Sequence, residues 1–171
     1  MSALDAMYQQ LILEHAKSRS GSDLTAEQAA AMPNQAGVGQ CHQLNPVCGD
    51  EITFRLELDM AGQEPAGAGP GSAPSRVKGV HWHGDGCAIS MASASILSEM
   101  SEGASPQELE GMIRHFRELM RSRGRLEPDE EILGDAAALA GVAKYPARVK
   151  CAMLAWVAAE DALRQAVGSA P

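Results

Sequence analysis

Residues 51–59 read Glu-Ile-Thr-Phe-Arg-Leu-Glu-Leu-Asp. Ile52, Phe54, Leu56 and Leu58 alternate with Thr53, Arg55, Glu57 and Asp59, the period-2 pattern of a strand with one buried face. Downstream, 61–75 holds four Gly and three Pro in fifteen residues, the composition of a flexible loop. Val77, Gly79/Val80 and Trp82 then resume a strand, so the two runs predict an antiparallel hairpin. Gly84-Asp-Gly-Cys87 ends it, and 88–100, rich in Ala and Ser, turns helical. Ser105-Pro-Gln-Glu108 carries a cap, a proline at the first position and an acid in the first turn, which predicts a helix from there to about Arg121. Pro128-Asp-Glu-Glu131 opens a short helical stretch with Ile132, Leu133 and Leu139. Tyr145-Pro146 begins a last helix running to about Val167.

Upstream of the strand, 40–50 has turn chemistry at Asn45-Pro46 and Gly49-Asp50. Residues 18–39 are dominated by Ser, Gly, Asn, Gln and Ala and read as a mobile connection, with Thr25-Ala-Glu-Gln28 able to cap a short helix. Ala3 to Lys17 reads as a helix with Leu4, Met7, Leu11 and His15 on one face and Tyr8 and Ile12 beside it. Helix, strands, then helices is the order of an α+β domain, not of a parallel α/β sheet. A length of 171 residues suits one domain, 1–171, with flexible segments near 18–39 and 61–75.

The composition, 45% hydrophobic and 21% charged, is that of an ordinary globular chain, with aromatics at only 4%. Fourteen Lys+Arg against 22 Asp+Glu leave a net charge of −8. That balance opposes nucleic acid or an anionic membrane as partner, because both are held by neutralising phosphates with cations. No apolar run approaches the roughly 20 residues of a membrane span. The first residues lack the basic and apolar regions of a signal peptide, so the expected location is cytoplasmic. In a reducing compartment four cysteines point to metal binding or thiol chemistry before disulfides.

Three of the four sit where structure changes. Cys48 lies in the turn Asn45-Pro-Val-Cys-Gly-Asp50, Cys87 between a glycine turn and a helix, and Cys151 near the start of the last helix. A thiol at a helix N-terminus is favoured as thiolate by the helix dipole. Cys48 and Asp50, two apart across Gly49, can converge on one ion. Three thiolates and one carboxylate would complete a tetrahedral Zn²⁺ shell. No CxxC knuckle is present, and each cysteine alone is equally well a small buried hydrophobe.

These pieces carry a resemblance. Asn45-Pro-Val-Cys-Gly-Asp50, Gly84-Asp-Gly-Cys-Ala-Ile-Ser-Met-Ala-Ser-Ala-Ser95, Leu133-Gly-Asp135 and Gly141-Val-Ala-Lys-Tyr-Pro-Ala-Arg-Val-Lys-Cys-Ala-Met-Leu-Ala-Trp156 stand in the order of the IscU/NifU N-terminal superfamily of iron–sulfur assembly proteins. Tyr8 to His15 resembles its first helix. Two departures from the IscU pattern resemble the SufU branch: Lys150 where IscU proteins carry a histidine before the last cysteine, and an extra helical segment at roughly Phe116 to Ala140.

The resemblance implies an α+β fold with a small antiparallel sheet of about three strands packed against several helices. It implies Zn²⁺ held by Cys48, Asp50, Cys87 and Cys151. It also implies a zinc-dependent sulfurtransferase working with a SufS-type, PLP-dependent cysteine desulfurase and supplying downstream iron–sulfur assembly proteins. In that branch a histidine of the docked desulfurase takes a place on the metal. The cysteine matching Cys48 is freed to attack the partner's persulfide. Arg148, three residues before Cys151 on the same helix face, matches an arginine beside the metal that steadies a thiolate. Two other functions suit the same residues: a scaffold on which a transient iron–sulfur cluster is assembled, and a binding module with a structural zinc. Outside the pattern, Cys41 reads as an ordinary strand cysteine and His81 and His83 as surface or edge histidines. His15 and His115 have no evident partner.

Overall fold

A computed structural model describes residues 2–59 and 75–169 of the chain. Three strands, β1 (Val38–Leu44), β2 (Glu51–Asp59) and β3 (Arg76–Asp85), form one antiparallel sheet in the order β1-β2-β3. The apolar positions of 51–59 turn inward: Ile52, Phe54, Leu56 and Leu58 are buried, while on the other face Thr53 is buried as well, Arg55 and Glu57 are half-buried, and the strand's ends face solvent. Phe54 lies between Cys41 and Trp82 in register, and Leu56 between Gly39 and Val80, so one face of all three strands turns inward. The loop expected over 61–75 lies, but for Ser75, outside the described residues.

Helices cover that face. α1 (Ala3–Ser18), α3 (Ala88–Ser101), α4 (Pro106–Arg121) and α6 (Pro146–Gly168) are joined by a short α5 (Glu130–Leu133) and a 3₁₀ segment, Gly134–Lys144. α4 starts where the capping signal puts it. Ser105 Oγ accepts the Glu108 N–H at 3.1 Å and the Glu108 carboxylate accepts the Ser105 N–H at 2.7 Å, a reciprocal cap whose loss costs about 1 kcal/mol. α6 lies against β1, β2 and α3. β1 passes so close beneath it that a Cβ on Gly39 would stand 1.8 Å from the Ala162 carbonyl oxygen. Phe116 of α4 stacks on Trp156 of α6 with ring centroids 4.0 Å apart, and the Trp156 indole N–H donates to Ser93 Oγ at 2.8 Å.

Two local expectations are revised. On α1, Leu4 and Met7 are exposed and Ile12 and His15 turn inward, so the buried face is narrower than the apolar count implies. The 18–39 segment is held along the sheet. The Trp82 N–H donates to the Gly21 carbonyl at 2.8 Å, the Leu24 N–H donates to the Trp82 carbonyl at 3.3 Å, and Arg19 lies over the Trp82 ring at 4.9 Å. This segment meets backbone groups that β3 would otherwise present at an open edge. α2 (Ala26–Ala30), capped by Thr25 as its sequence suggests, sits over the outer face, where Gln40 Nε2 donates to the carbonyls of Ala29 and Ala31.

Candidate metal centre

Three elements end at one place. The β1–β2 turn supplies Cys48 and Asp50, the entry to α3 supplies Cys87, and the first turns of α6 supply Cys151. The β1–β2 turn closes on itself: the Asn45 N–H donates to the Asp50 carbonyl and the Gly49 N–H to the Asn45 carbonyl, both at 2.8 Å. Gly49 takes φ +77°, in the left-handed region that glycine enters freely. This conformation leaves Cys48 exposed and folds Asp50 inward. Cys87 occupies the N-cap of α3, with the backbone N–H groups of the first turn beside it. Cys151 is buried, one turn into α6.

Cys48 Sγ lies 3.7 Å from Cys151 Sγ, and an Asp50 oxygen completes a set of three ligand atoms all within 4.8 Å of one another. Cys87 falls outside this set. Its Sγ is 3.6 Å from Ser90 Oγ, and its backbone N–H donates to Asp50 Oδ1 at 3.2 Å. Two further residues shape the site. The Ser90 hydroxyl donates to Asp50 Oδ2. Asn45 is buried, its Nδ2 lies 4.0 Å from Cys151 Sγ, and its Oδ1 accepts the Val47 N–H at 3.2 Å. Asn45 was visible only as a turn residue, and Ser90 only as one serine among many in α3. Gly86 is required by space, since a Cβ there would stand 2.8 Å from Asp50 Cγ.

The electrostatics are compatible with a cation. Burial raises the cost of charging Asp50. Hydrogen bonds from Ser90, Cys87, Cys48 and Cys151 outweigh that cost and hold its carboxyl below the usual carboxylate range. Burial, then hydrogen bonding with Cys48, Asp50 and Cys87, pushes the Cys151 thiol far above the ordinary thiol range. A carboxylate that stays ionised beside a thiol that cannot ionise alone is a donor set one positive ion would complete. Three sulfurs and one carboxylate oxygen fit Zn²⁺ in kind and number.

Arg148 is exposed, and its guanidinium stacks over the Tyr145 ring at 5.0 Å. Both line a cavity of about 600 Å³ with Tyr8, Ile12, Ile89 and Lys144. Ile89 follows Cys87 by two residues, but no cysteine lines the hollow. Lys150 is exposed beside Cys151. Cys41, on β1, is half-buried. Its thiol donates to the Asp161 carboxylate at 3.6 Å, and burial pushes it up. His81 pairs with Asp23 at 2.8 Å, His83 Nδ1 lies 3.1 Å from the Leu24 carbonyl, and His115 Nδ1 lies 2.8 Å from the carbonyl one turn back, at Gly111. His15 is buried against Ser95. None of these histidines reaches the thiols.

Comparison with known proteins gives the family. The family model of the NifU-like N-terminal domain matches residues 7–152. The chain is 32% identical over 166 residues, 96% of its own length and 95% of the relative's, to the zinc-dependent sulfurtransferase SufU of Bacillus subtilis. It is 32% identical over 133 residues, 78% of this chain and 74% of the relative, to the iron–sulfur cluster assembly scaffold protein IscU of Streptococcus pyogenes. Among solved structures, FiSufU, a SUF-system protein of Fervidobacterium islandicum AW-1, superposes with a TM-score of 0.69 at 27% identity, covering 92% of this chain and 97% of that one. No helix among the described residues is long and apolar enough to cross a membrane.

Proposed function

The chain belongs to the NifU-like N-terminal domain family as a SufU-type member of the IscU/NifU superfamily, and from that premise we propose that it is a sulfurtransferase that accepts persulfide sulfur at Cys48. The donor is a PLP-dependent cysteine desulfurase of the SufS type, and the recipients are proteins that assemble iron–sulfur clusters. Zn²⁺ is held by Cys48, Asp50, Cys87 and Cys151, with Arg148 beside the site as a positioning residue. Bound there, the ion supplies positive charge that keeps the thiols ionised at neutral pH, with no redox chemistry of its own.

The observation that carries this reading is an asymmetry. Cys48 and Cys151 meet at 3.7 Å, yet Cys48 is exposed on a turn and Cys151 is buried in a helix. An acceptor must reach another protein's sulfur, and of this pair only Cys48 can; Cys87 is exposed too, but it caps α3, whereas Cys48 sits on a turn. The Cys48 thiolate attacks the terminal sulfur of the partner's persulfide. A new S–S bond forms on Cys48 as the partner's S–S bond breaks, and the electron pair leaves on the partner's cysteine as thiolate. No external oxidant or reductant enters. Asp50 stays anchored through Ser90 and the Cys87 N–H while Cys48 moves. Arg148, one turn before Cys151 and lining the neighbouring hollow, would meet negative charge on the freed thiolate.

The test is turnover of a SufS-type desulfurase with and without the protein. The intact chain stimulates it, and Cys48→Ala returns it to the basal rate with an unchanged circular dichroism spectrum. Equal stimulation by Cys48→Ala would remove the acceptor role. The second reading, a cluster scaffold, has the match to IscU in its favour, and the same thiolates ligate iron–sulfur clusters. It requires a chromophore that forms on reconstitution and passes to an apo-protein. Lys150, standing where IscU proteins carry histidine, weighs against it.

A further inference from the structure

A second group of ligand-type side chains lies at the other end of α3 and takes no part in the chemistry above. His15 in the last turn of α1, Glu99 near the C-terminal end of α3 and Asp135 at the start of the 3₁₀ segment bring one imidazole nitrogen and two carboxylate oxygens within 4.8 Å of one another. Cys87 caps the opposite end of the same helix, about 18 Å away at 1.5 Å per residue, so the two groups cannot share an ion.

The group is built as a site. His15 is 7% exposed, whereas Glu99 and Asp135 reach solvent. The imidazole Nδ1 is 2.9 Å from Ser95 Oγ, which also accepts the Ser20 N–H at 3.0 Å. One ring nitrogen is therefore anchored. The other, Nε2, faces Asp135 Oδ2 at 3.4 Å, longer than a good N–H···O bond. An imidazole fixed through one nitrogen with the other turned toward carboxylates is the way metal-ligating histidines are oriented. Glu99 is steered in turn by the Ser20 hydroxyl, which donates to its Oε1 at 2.5 Å. Two carboxylates at this spacing repel each other unless positive charge lies between them.

We infer that His15, Glu99 and Asp135 bind a divalent first-row metal ion through one nitrogen and two oxygens, with water completing the shell. A mixed imidazole–carboxylate set is harder than the thiol centre and accepts Mn²⁺ or Fe²⁺, though more weakly than Zn²⁺. The ion pins α1 to α3 and to the Leu133–Asp135 turn. The two sites share no ligand, Cys87 lying at the far end of α3, so this site stands independently of the sulfur-transfer reading.

The probe is Mn²⁺, which thiolate-rich sites take poorly, added to the purified full-length protein and followed by loss of the free-ion electron paramagnetic resonance signal. One equivalent binds. Asp135→Asn and Glu99→Gln, at exposed side chains, each weaken binding by at least about tenfold with unchanged circular dichroism. Cys48→Ala leaves binding intact. The inference is overturned if the protein binds no Mn²⁺, as it would were His15 present as imidazolium neutralising both carboxylates. It is equally overturned if the two carboxamide variants bind as the parent does, or if Cys48→Ala abolishes binding and so puts the ion at the thiols.

Discussion

The β1–β2 turn and α6 deliver the two thiols that meet at the centre, and they are built in opposite ways. The turn, 45–50, is tied mainly to itself by backbone hydrogen bonds and leaves Val47 74% exposed next to Cys48. α6 runs 23 residues through the core, with Cys151, Ala152, Ala155, Trp156 and Ala159 all buried. The Ser93 hydroxyl donates to the Ala152 carbonyl at 2.6 Å and accepts the Trp156 N–H, bolting α3 to α6 one turn from Cys151. One ligand thus sits on a piece of chain that can move alone, and the other on a piece that moves only if the domain opens. A centre so divided suits an exchangeable ligand better than a purely structural ion.

Substitutions that load one region at a time can break or sharpen this contrast. The largest effect falls on α6. Trp156→Ala removes the stack on Phe116 and the bond to Ser93, and costs about 3–5 kcal/mol in urea unfolding. Gly49→Ala meets no atom within 4 Å, so only the φ of +77° resists it. Its cost is about 1 kcal/mol, read in the same unfolding experiment. The sulfur-acceptance rate falls further than stability does, because the turn is redirected. Equal stability losses for the two variants would erase the distinction between regions.

The smallest effect is a pH dependence on the α6 side. The Arg117 guanidinium of α4 hydrogen-bonds Glu160 of α6 and holds its carboxyl below the ordinary value of 4.5. A carboxyl depressed in the folded state contributes stability above that ordinary value and loses it as pH falls through the folded one. Glu160→Gln therefore lowers the urea midpoint at neutral pH and flattens its decline below pH 4.5. A decline as steep as the parent's would assign the acid sensitivity to other groups.

Much of this was legible in the sequence because the physics was local. The alternation in 51–59, the cap at Ser105 and the proline at 146 each act over one turn or one strand, and the hairpin, α4 and α6 appear where they point. β1 was hidden because its buried positions include Gly39, chosen for the close pass under α6, and Gln40, satisfied by carbonyls of α2. α1 misled because Leu4 and Met7 mark an apolar face that the core does not cover. At the centre, spacing brought Cys48 and Asp50 together, but the meeting with Cys151, 103 residues on, is a property of the fold. The hydroxyl that anchors Asp50, on Ser90, comes from 40 residues away, and no local pattern marks it.

The most direct measurement is to incubate the protein with a SufS-type desulfurase and free cysteine, cap the thiols, and locate the added sulfur by peptide mass spectrometry. The account predicts one extra sulfur atom on Cys48 and none on Cys41. Sulfur on Cys41, or on Cys87 or Cys151 with Cys48 unmodified, would contradict it.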